Sequence, residues 1–242
     1  MTTFTVSPIG YVKTPFREKF GVPRQSGMIP EARGVLKLNS DPAFHDACRF
    51  LETFSHVWLI FQFHEHAGEP WRKLTTTPRM GAPERVGVFA SRSPHHPNAL
   101  GLSALRLDSV DLEAKGGIEI HLSGLDLLDG TPVLDLKPYV PFVDLIPSAS
   151  GGFTDAMIPK YAVHFTEVAK AQLLALNGFG FNIDPERLIT QMLELDPRPT
   201  SQKKAFPIEN PEFEGMSFAF RVGIYDVKWE IRDQNILVIS IS

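Results

Sequence analysis

A mainly β fold, with an N-terminal antiparallel β-barrel and a smaller C-terminal α+β domain, is what this 242-residue sequence predicts. Three observations carry the prediction. Short β-rich runs recur between Gly and Pro across the first half with no crossover helices between them, a spacing that suits an antiparallel sheet closed on itself. After Pro147 the stretch "PSASGGFTDAMIPK" turns small and polar, and helical patterns follow it. Finally, no G-x-G-x-x-G follows a strand, and there is no P-loop, G-x-S-x-G or H-E-x-x-H, so a Rossmann site, a kinase and a zincin are unsupported.

In chain order, "FTVSPIGYVKT", "GVLKL", "HVWLIFQFHE", "RVGVFASR", "GLSALRLDSVDL" and "IEIHLSGLDLLD" read as strands, several of them with period-2 alternation. In "TPVLDLKPYVPF" a turn comes first and "KPY" ends a strand at proline. One helix interrupts them: Asp41 caps, Pro42 sits in the first turn, and Phe44, Ala47, Cys48 and Leu51 keep helical spacing up to Phe54. Beyond the break, "YAVHF" is a strand and "TEVAKAQLLALNG" a helix closed by Gly178. "DPERLITQMLEL" is a second helix with Asp184 as N-cap, and "FAFRVGIYDVKWEIRD" with "NILVISIS" forms a hairpin. The expected division is a barrel domain over 1–147, a linker over 148–160 and an α+β domain over 161–242.

Composition narrows the setting. The single cysteine, Cys48, excludes a disulfide framework and reads as a core residue; with no secretory segment, a reducing cytoplasm is expected. No apolar run approaches the roughly 20 residues of a membrane span. The net charge of -4 gives no overall nucleic-acid signature, but bases segregate. Arg72, Lys73, Arg79, Arg85, Arg92 and Arg106 face the single acid Glu84, and Lys13, Arg17, Lys19, Arg24, Arg33 and Lys37 face only Glu18 and Glu31. If these segments meet on one face, a polyanion can dock there.

Three loops are candidates for chemistry. In "SRSPHHPNALG", Arg92 precedes a turn that Pro94 and Pro97 stiffen, which fits either a binding loop or a rigid connection. Between Pro23 and Gly27, Arg24, Gln25 and Ser26 offer a cation, an amide and backbone donors to an anionic or zwitterionic ligand. Asp135, Lys137 and Tyr139 alternate, so they share a face if extended, as a surface ion pair or as a site; Asp129 with Gly130 reads as turn chemistry. His64 and His66 of "HEH" would share a strand face but supply only two ligands, so no metal site is predicted.

"PRQSG", "LETFSHVWLIFQFH", "RVGVFASRSPHHPNALGLS", "LDLLDGTPVLDLKPYVPF" and "DPRP", in that order, resemble the TrmO family of tRNA N6-threonylcarbamoyladenosine methyltransferases, also grouped as TsaA, YaeB or VirR-like. The resemblance spans nearly the whole chain and is strongest up to residue 145. It implies a barrel that binds S-adenosylmethionine and methylates N6 of the modified adenosine at position 37 of tRNAs for threonine. It also implies a homodimer with the cofactor near the subunit interface, and a C-terminal domain that helps hold tRNA. By motif match, Arg24, Gln25, Ser26, His64, Glu65, Arg92, Leu102, Ser123, Gly124, Leu125 and Asp126 would form the cofactor pocket. Asp135, Lys137 and Tyr139 would stand beside the methyl group. Arg198 would face RNA; the basic segment adds Arg72 and Lys73 as expected tRNA contacts, and His96, standing where the family has arginine, is a further one. The family loop runs close to R-S-x-x-R-P-N-P-I-G, and this chain departs from it at His96, Ala99 and Leu100. A methyltransferase acting on another RNA or small substrate, or a non-catalytic S-adenosylmethionine or nucleotide sensor, remains the alternative; a sensor would not need "DLKPY".

Overall fold

The computed structural model describes residues 4–76, 85–155 and 158–242. Arg79 and Glu84 of the basic segment and Ala156 and Met157 of the expected linker lie outside them. The first half holds β1 (Gly10–Lys13), β2 (Arg33–Leu38), β3 (His56–Gln62), β4 (Leu74–Thr75), β5 (Val86–Gly87), β6 (Leu100–Asp111), β7 (Glu119–Ser123) and β8 (Pro132–Pro138). Six of these close an antiparallel barrel in the order β1-β2-β7-β6-β3-β8. Alternation explains the closure: Val57, Leu59 and Phe61 of β3 point inward with Leu105, Leu107, Ile120, Leu122 and Val133, while Trp58, Ile60 and Gln62 form the outer wall. Gly101 of β6 is obligatory, because a Cβ there would stand 2.2 Å from the Phe61 ring.

Two elements depart from the sequence reading. The helix expected up to Phe54 stops as α1 (Ala43–Ala47), because Phe50 takes a left-handed φ of 65° and only a 3-10 turn, Leu51–Thr53, follows. The N-cap of α1 is Pro42 rather than Asp41, which stands one residue earlier with its Oδ1 accepting the Ala43 N–H at 2.9 Å. "RVGVFASR" is strand only at β5, which pairs with β4 outside the barrel; Val88–Ala90 then coil into a 3-10 turn, with Ser91 donating to the Val88 carbonyl.

The chain continues through α2 (Pro141–Asp144), β9 (Val163–Phe165), α3 (Glu167–Ala175), α4 (Pro185–Glu194), α5 (Thr200–Ala205), β10 (Ser217–Val222), β11 (Tyr225–Arg232) and β12 (Asn235–Ile241). Asp184 caps α4 as expected, with Pro185 in its first turn. The α3 helix ends two residues before Gly178, at Leu176, so glycine is not its cap. The last three strands form a meander, closed between β11 and β12 by Asp233 and Gln234, both left-handed at φ 51° and 57°, and β9 adds parallel to β12. Leu188, Ile189 and Met192 of α4 pack on Trp229, Ile231 and Val238. Phe16, Ile29 and Ala32, from the segment between β1 and β2, belong to this second core.

Candidate functional site

Four connecting segments meet at one rim of the barrel. The segment between β1 and β2 carries Arg24, Gln25 and Ser26; it touches the β7–β8 connection where the Gly27 N–H donates to the Gly124 carbonyl at 2.8 Å. Both glycines are left-handed, and a Cβ on Gly124 would lie 3.1 Å from the Gly27 Cα, so only glycine permits this approach. Arg92 Nη1 donates to Gln25 Oε1 at 3.1 Å, and Gln25 Nε2 donates to the Arg24 carbonyl at 2.7 Å. Lys19 reaches Glu65 of the turn after β3 at 3.2 Å.

Asp126 is the electrostatic centre of this cluster. Burial pushes its carboxyl up to about 6, against the Ser103 hydroxyl, the backbone N–H groups of Asp126 and Ser26, and the Arg92 charge, which all favour the ionised form. Ser103 Oγ donates to Asp126 Oδ1 at 2.7 Å. Arg24 is lowered by burial, with the nearby Asp196 carboxylate opposing the shift, and its Nη2 donates to the Pro197 carbonyl at 3.4 Å. An exposed guanidinium at Arg92 and an acceptor at Asp126 therefore share one hydrogen-bonded loop cluster, a charge pattern complementary to a zwitterion.

The other predicted residues fall elsewhere. Leu125 is fully buried in the barrel core and its N–H is taken by the Ala32 carbonyl; Ser123 is buried and donates to Asp108 at 3.1 Å. Only the backbone of these two is near the cluster. Leu102, Ile60 and Asp135 lie in one row across β6, β3 and β8 on the outer wall. Asp135 Oδ2 pairs with Lys137 Nζ at 2.9 Å, Oδ1 accepts the Leu136 N–H, and the Tyr139 ring packs against Trp58 with centroids 5.6 Å apart. A shallow depression lined by Tyr11, Lys13, Lys37 and Asn39 shares no residue with either group.

Three expectations need correction or refinement. Arg198 does not face RNA: it is 5% exposed, forks onto Asp196 at 2.8 and 2.9 Å, donates to the Phe206 carbonyl and lies 4.5 Å from the Phe218 ring centroid. A guanidinium with those partners belongs to the core. His96 turns back into its loop, Nε2 donating to the Ser91 carbonyl at 3.0 Å, whereas Arg72 and Lys73 are exposed. His64 and His66 lie in a 3-10 turn rather than on one strand face. His66 instead meets Glu69 and His95, their ligand atoms all within 4.8 Å of one another. Burial lowers both imidazoles, helped by Lys19 at His66 and by Arg72 at His95.

Sequence reasoning missed Glu31, Ser103 and this His66–Glu69–His95 group. Glu31 is 2% exposed, accepts the Asp184 N–H at 2.9 Å and lies 3.2 Å from Arg33. The partners that bury it, Asp184 and Gln191, are distant in sequence, so no local pattern marks it.

The family described as tRNA-methyltransferase O N-terminal domain matches residues 11–145, and the TrmO C-terminal domain matches 158–242. An Escherichia coli (strain K12) protein named tRNA (adenine(37)-N6)-methyltransferase is 37% identical over 243 residues, covering 100% of this chain and 99% of its own length. A Pseudomonas aeruginosa relative, 41% identical over 94% of this chain and 92% of its own, is provisionally named an S-adenosylmethionine-dependent methyltransferase, RcsF. The crystal structure of TrmO from Pseudomonas aeruginosa superposes with a TM-score of 0.77 at 37% identity, covering 100% of this chain and 99% of the other. With both halves matched in order and the barrel shared, the chain belongs to the TrmO family.

Proposed function

We propose that the loop cluster binds S-adenosylmethionine and that the protein methylates N6 of adenine 37 in tRNA, the acceptor being the threonylcarbamoyl-modified base of tRNAs for threonine. The observation that carries the reading is the Arg92–Gln25 bond beside the Ser103–Asp126 bond, within a chain of the TrmO family. The residues fit the cofactor: Arg92 is exposed and, among the described residues, bonded on one side to Gln25, leaving donors for an α-carboxylate, and Asp126 offers acceptor capacity to an ammonium or ribose hydroxyl. When bound, S-adenosylmethionine supplies a methyl group already activated by its sulfonium. The chain's own work is therefore placement, exclusion of water and reception of one proton.

Asp135 takes the N6 proton in this reading, with Lys137 and the Leu136 N–H fixing its carboxylate and Tyr139 packed beside them. Its row lies on the outer wall, where Leu102 is 52% exposed, and α2 and its exit present Phe142, Val143, Leu145 and Ile146 to solvent. An apolar area of that kind supports a homodimer that covers the wall and sets the Asp135 row against the partner's loop cluster. Arg72 and Lys73 supply phosphate contacts, and the 161–242 unit helps hold the tRNA; the setting is the cytoplasm.

The test is incubation of the purified chain with methyl-labelled S-adenosylmethionine and tRNA carrying or lacking the threonylcarbamoyl group, followed by nucleoside mass spectrometry. Label in N6-methyl-threonylcarbamoyladenosine, absent from the unmodified tRNA, is expected. Label in any other nucleoside, or none, sinks the substrate reading.

A further inference from the structure

We infer that His66, Glu69 and His95 form a binding site for one zinc ion, which clips the turn after β3 to the loop that carries Arg92. The three side chains come from two segments already fixed against each other. The Glu69 N–H donates to the His66 carbonyl at 3.1 Å, closing a turn through Gly68 (φ +83°), so imidazole and carboxylate stand at its two ends. The Arg72 N–H donates to the His95 carbonyl at 3.2 Å and brings the second loop against that turn. The two imidazole rings meet edge to face with centroids 5.0 Å apart.

One atom lacks an explanation without a ligand. Among the described residues His95 Nδ1 is buried with no hydrogen-bond partner, and Glu69 Oε2 lies 3.9 Å away, outside hydrogen-bond range. Buried ring nitrogens are ordinarily satisfied. A cation between Nδ1 and the carboxylate satisfies both.

The donor set selects the ion. Two imidazoles and one carboxylate match three-ligand zinc sites that leave the fourth position to water, and without thiolate the group does not favour soft ions. Zinc at about 2.0–2.1 Å from each ligand sets ligand atoms roughly 3.4 Å apart. The 3.9 Å pair is within about half an ångström of that, all three ligand atoms lie within 4.8 Å of one another, and Glu69, with its side chain 47% exposed, has room to rotate. Of the surrounding charges, Lys19 is paired with Glu65 and Arg72 opposes the ion, so moderate affinity is expected rather than a permanent structural zinc.

Calorimetric titration of the chelator-stripped full chain with zinc chloride tests this. One equivalent should bind, and His66→Ala, Glu69→Gln and His95→Gln should each weaken it by at least about tenfold, since even outer-shell changes cost 10–100-fold. The exposed His164→Ala should leave it unchanged. Zinc should also raise the unfolding temperature of the wild type but not of the variants, and cobalt should give the visible bands of a four- or five-coordinate site. Circular dichroism checks each fold; should His66→Ala unfold, the exposed Glu69→Gln carries the test. Absence of saturable zinc binding, or binding that survives Glu69→Gln and His95→Gln, overturns the site.

Discussion

The two loops joined by the Arg92–Gln25 bond are held by opposite means. The segment between β1 and β2 is fixed from outside. Phe16, Ile29 and Ala32 are buried in the second core, Glu31 accepts from Asp184, the Glu31 N–H donates to Gln191 Oε1, and Arg24 donates to Pro197. The loop from Val88 to Ala99 braces itself. Ser91 Oγ donates to the Val88 carbonyl, Ser93 Oγ accepts the His95 N–H, His96 closes onto Ser91, the Ala99 N–H donates to the His96 carbonyl, and Pro94 and Pro97 restrict the rest. One side of the candidate cofactor site thus leans on the C-terminal unit as well as on Gly124, while the other adds to its own bonds only those with its barrel-side neighbours Phe63, Arg72, Lys73 and Thr75. Damage at a distance should reach the first loop and spare the second.

Arg198→Ala breaks that comparison most severely. It strips the buried Asp196 of both guanidinium bonds and leaves it only Lys203 at 3.7 Å and the backbone N–H of residue 198, a change that costs up to about 3–5 kcal/mol. Urea unfolding should show the loss. Cofactor affinity should fall with it although Arg198 touches no cofactor, because Pro197, its chain neighbour, receives Arg24. A loss below about 1 kcal/mol would mean that the buried pair does not hold the segment.

Asp126 sits where the loops meet and sharpens the comparison through pH. Its native carboxyl keeps its proton to about 6, above the unfolded value of 3.8. The stabilisation is therefore complete below the unfolded value and lost as pH rises through about 6, on the order of 2–3 kcal/mol. Denaturation from pH 4 to 7 should show a decline in the wild type that is absent from Asp126→Asn. Parallel curves would remove Asp126 as its source.

Arg92→Ala acts on the self-braced side. S-adenosylmethionine affinity should weaken by about 1–3 kcal/mol, the worth of a charge-assisted hydrogen bond, with stability unchanged within about 0.5 kcal/mol because the residue is exposed. Calorimetry and urea unfolding on the same variant separate the two. An affinity equal to wild type would place the cofactor's carboxylate elsewhere.

What could be read from sequence follows the same division. The stiffness of 92–98, the Asp184 cap and the alternation of the barrel strands are properties of neighbouring residues, and local rules found them. The burial of Glu31 and Arg198 is not local: a carboxylate and a guanidinium read as surface groups until Asp184 and Phe206 are brought against them. The 3-10 turns at Leu51 and Val88 were missed because apolar spacing alone does not reveal a left-handed Phe50 or a carbonyl capped by Ser91. Ala99 is an intermediate case. Its departure from the family's proline was visible, but its φ of 48°, which no proline adopts, was not.

The smallest effect concerns His96, where the self-bracing argument can fail most simply. Its Nε2–H closes the loop onto Ser91, and its ring meets Phe89 edge-on at 5.8 Å, contacts that make it a brace of the loop. Removing it with His96→Ala should cost one neutral hydrogen bond, about 0.5–1.5 kcal/mol, and loosen the loop locally. Amide exchange at Ser93, His95 and Ala99 should accelerate by the corresponding factor, roughly two- to thirteenfold, while amides of the β1–β2 segment stay unchanged. Cofactor affinity should fall less than in Arg92→Ala, since the guanidinium remains and only its pre-organisation is lost. His96→Gln keeps an N–H donor of similar reach and should recover most of the protection. Should exchange stay at the wild-type rate in His96→Ala while tRNA binding collapses, the ring is a substrate contact after all, and the loop is braced by its prolines and serines alone.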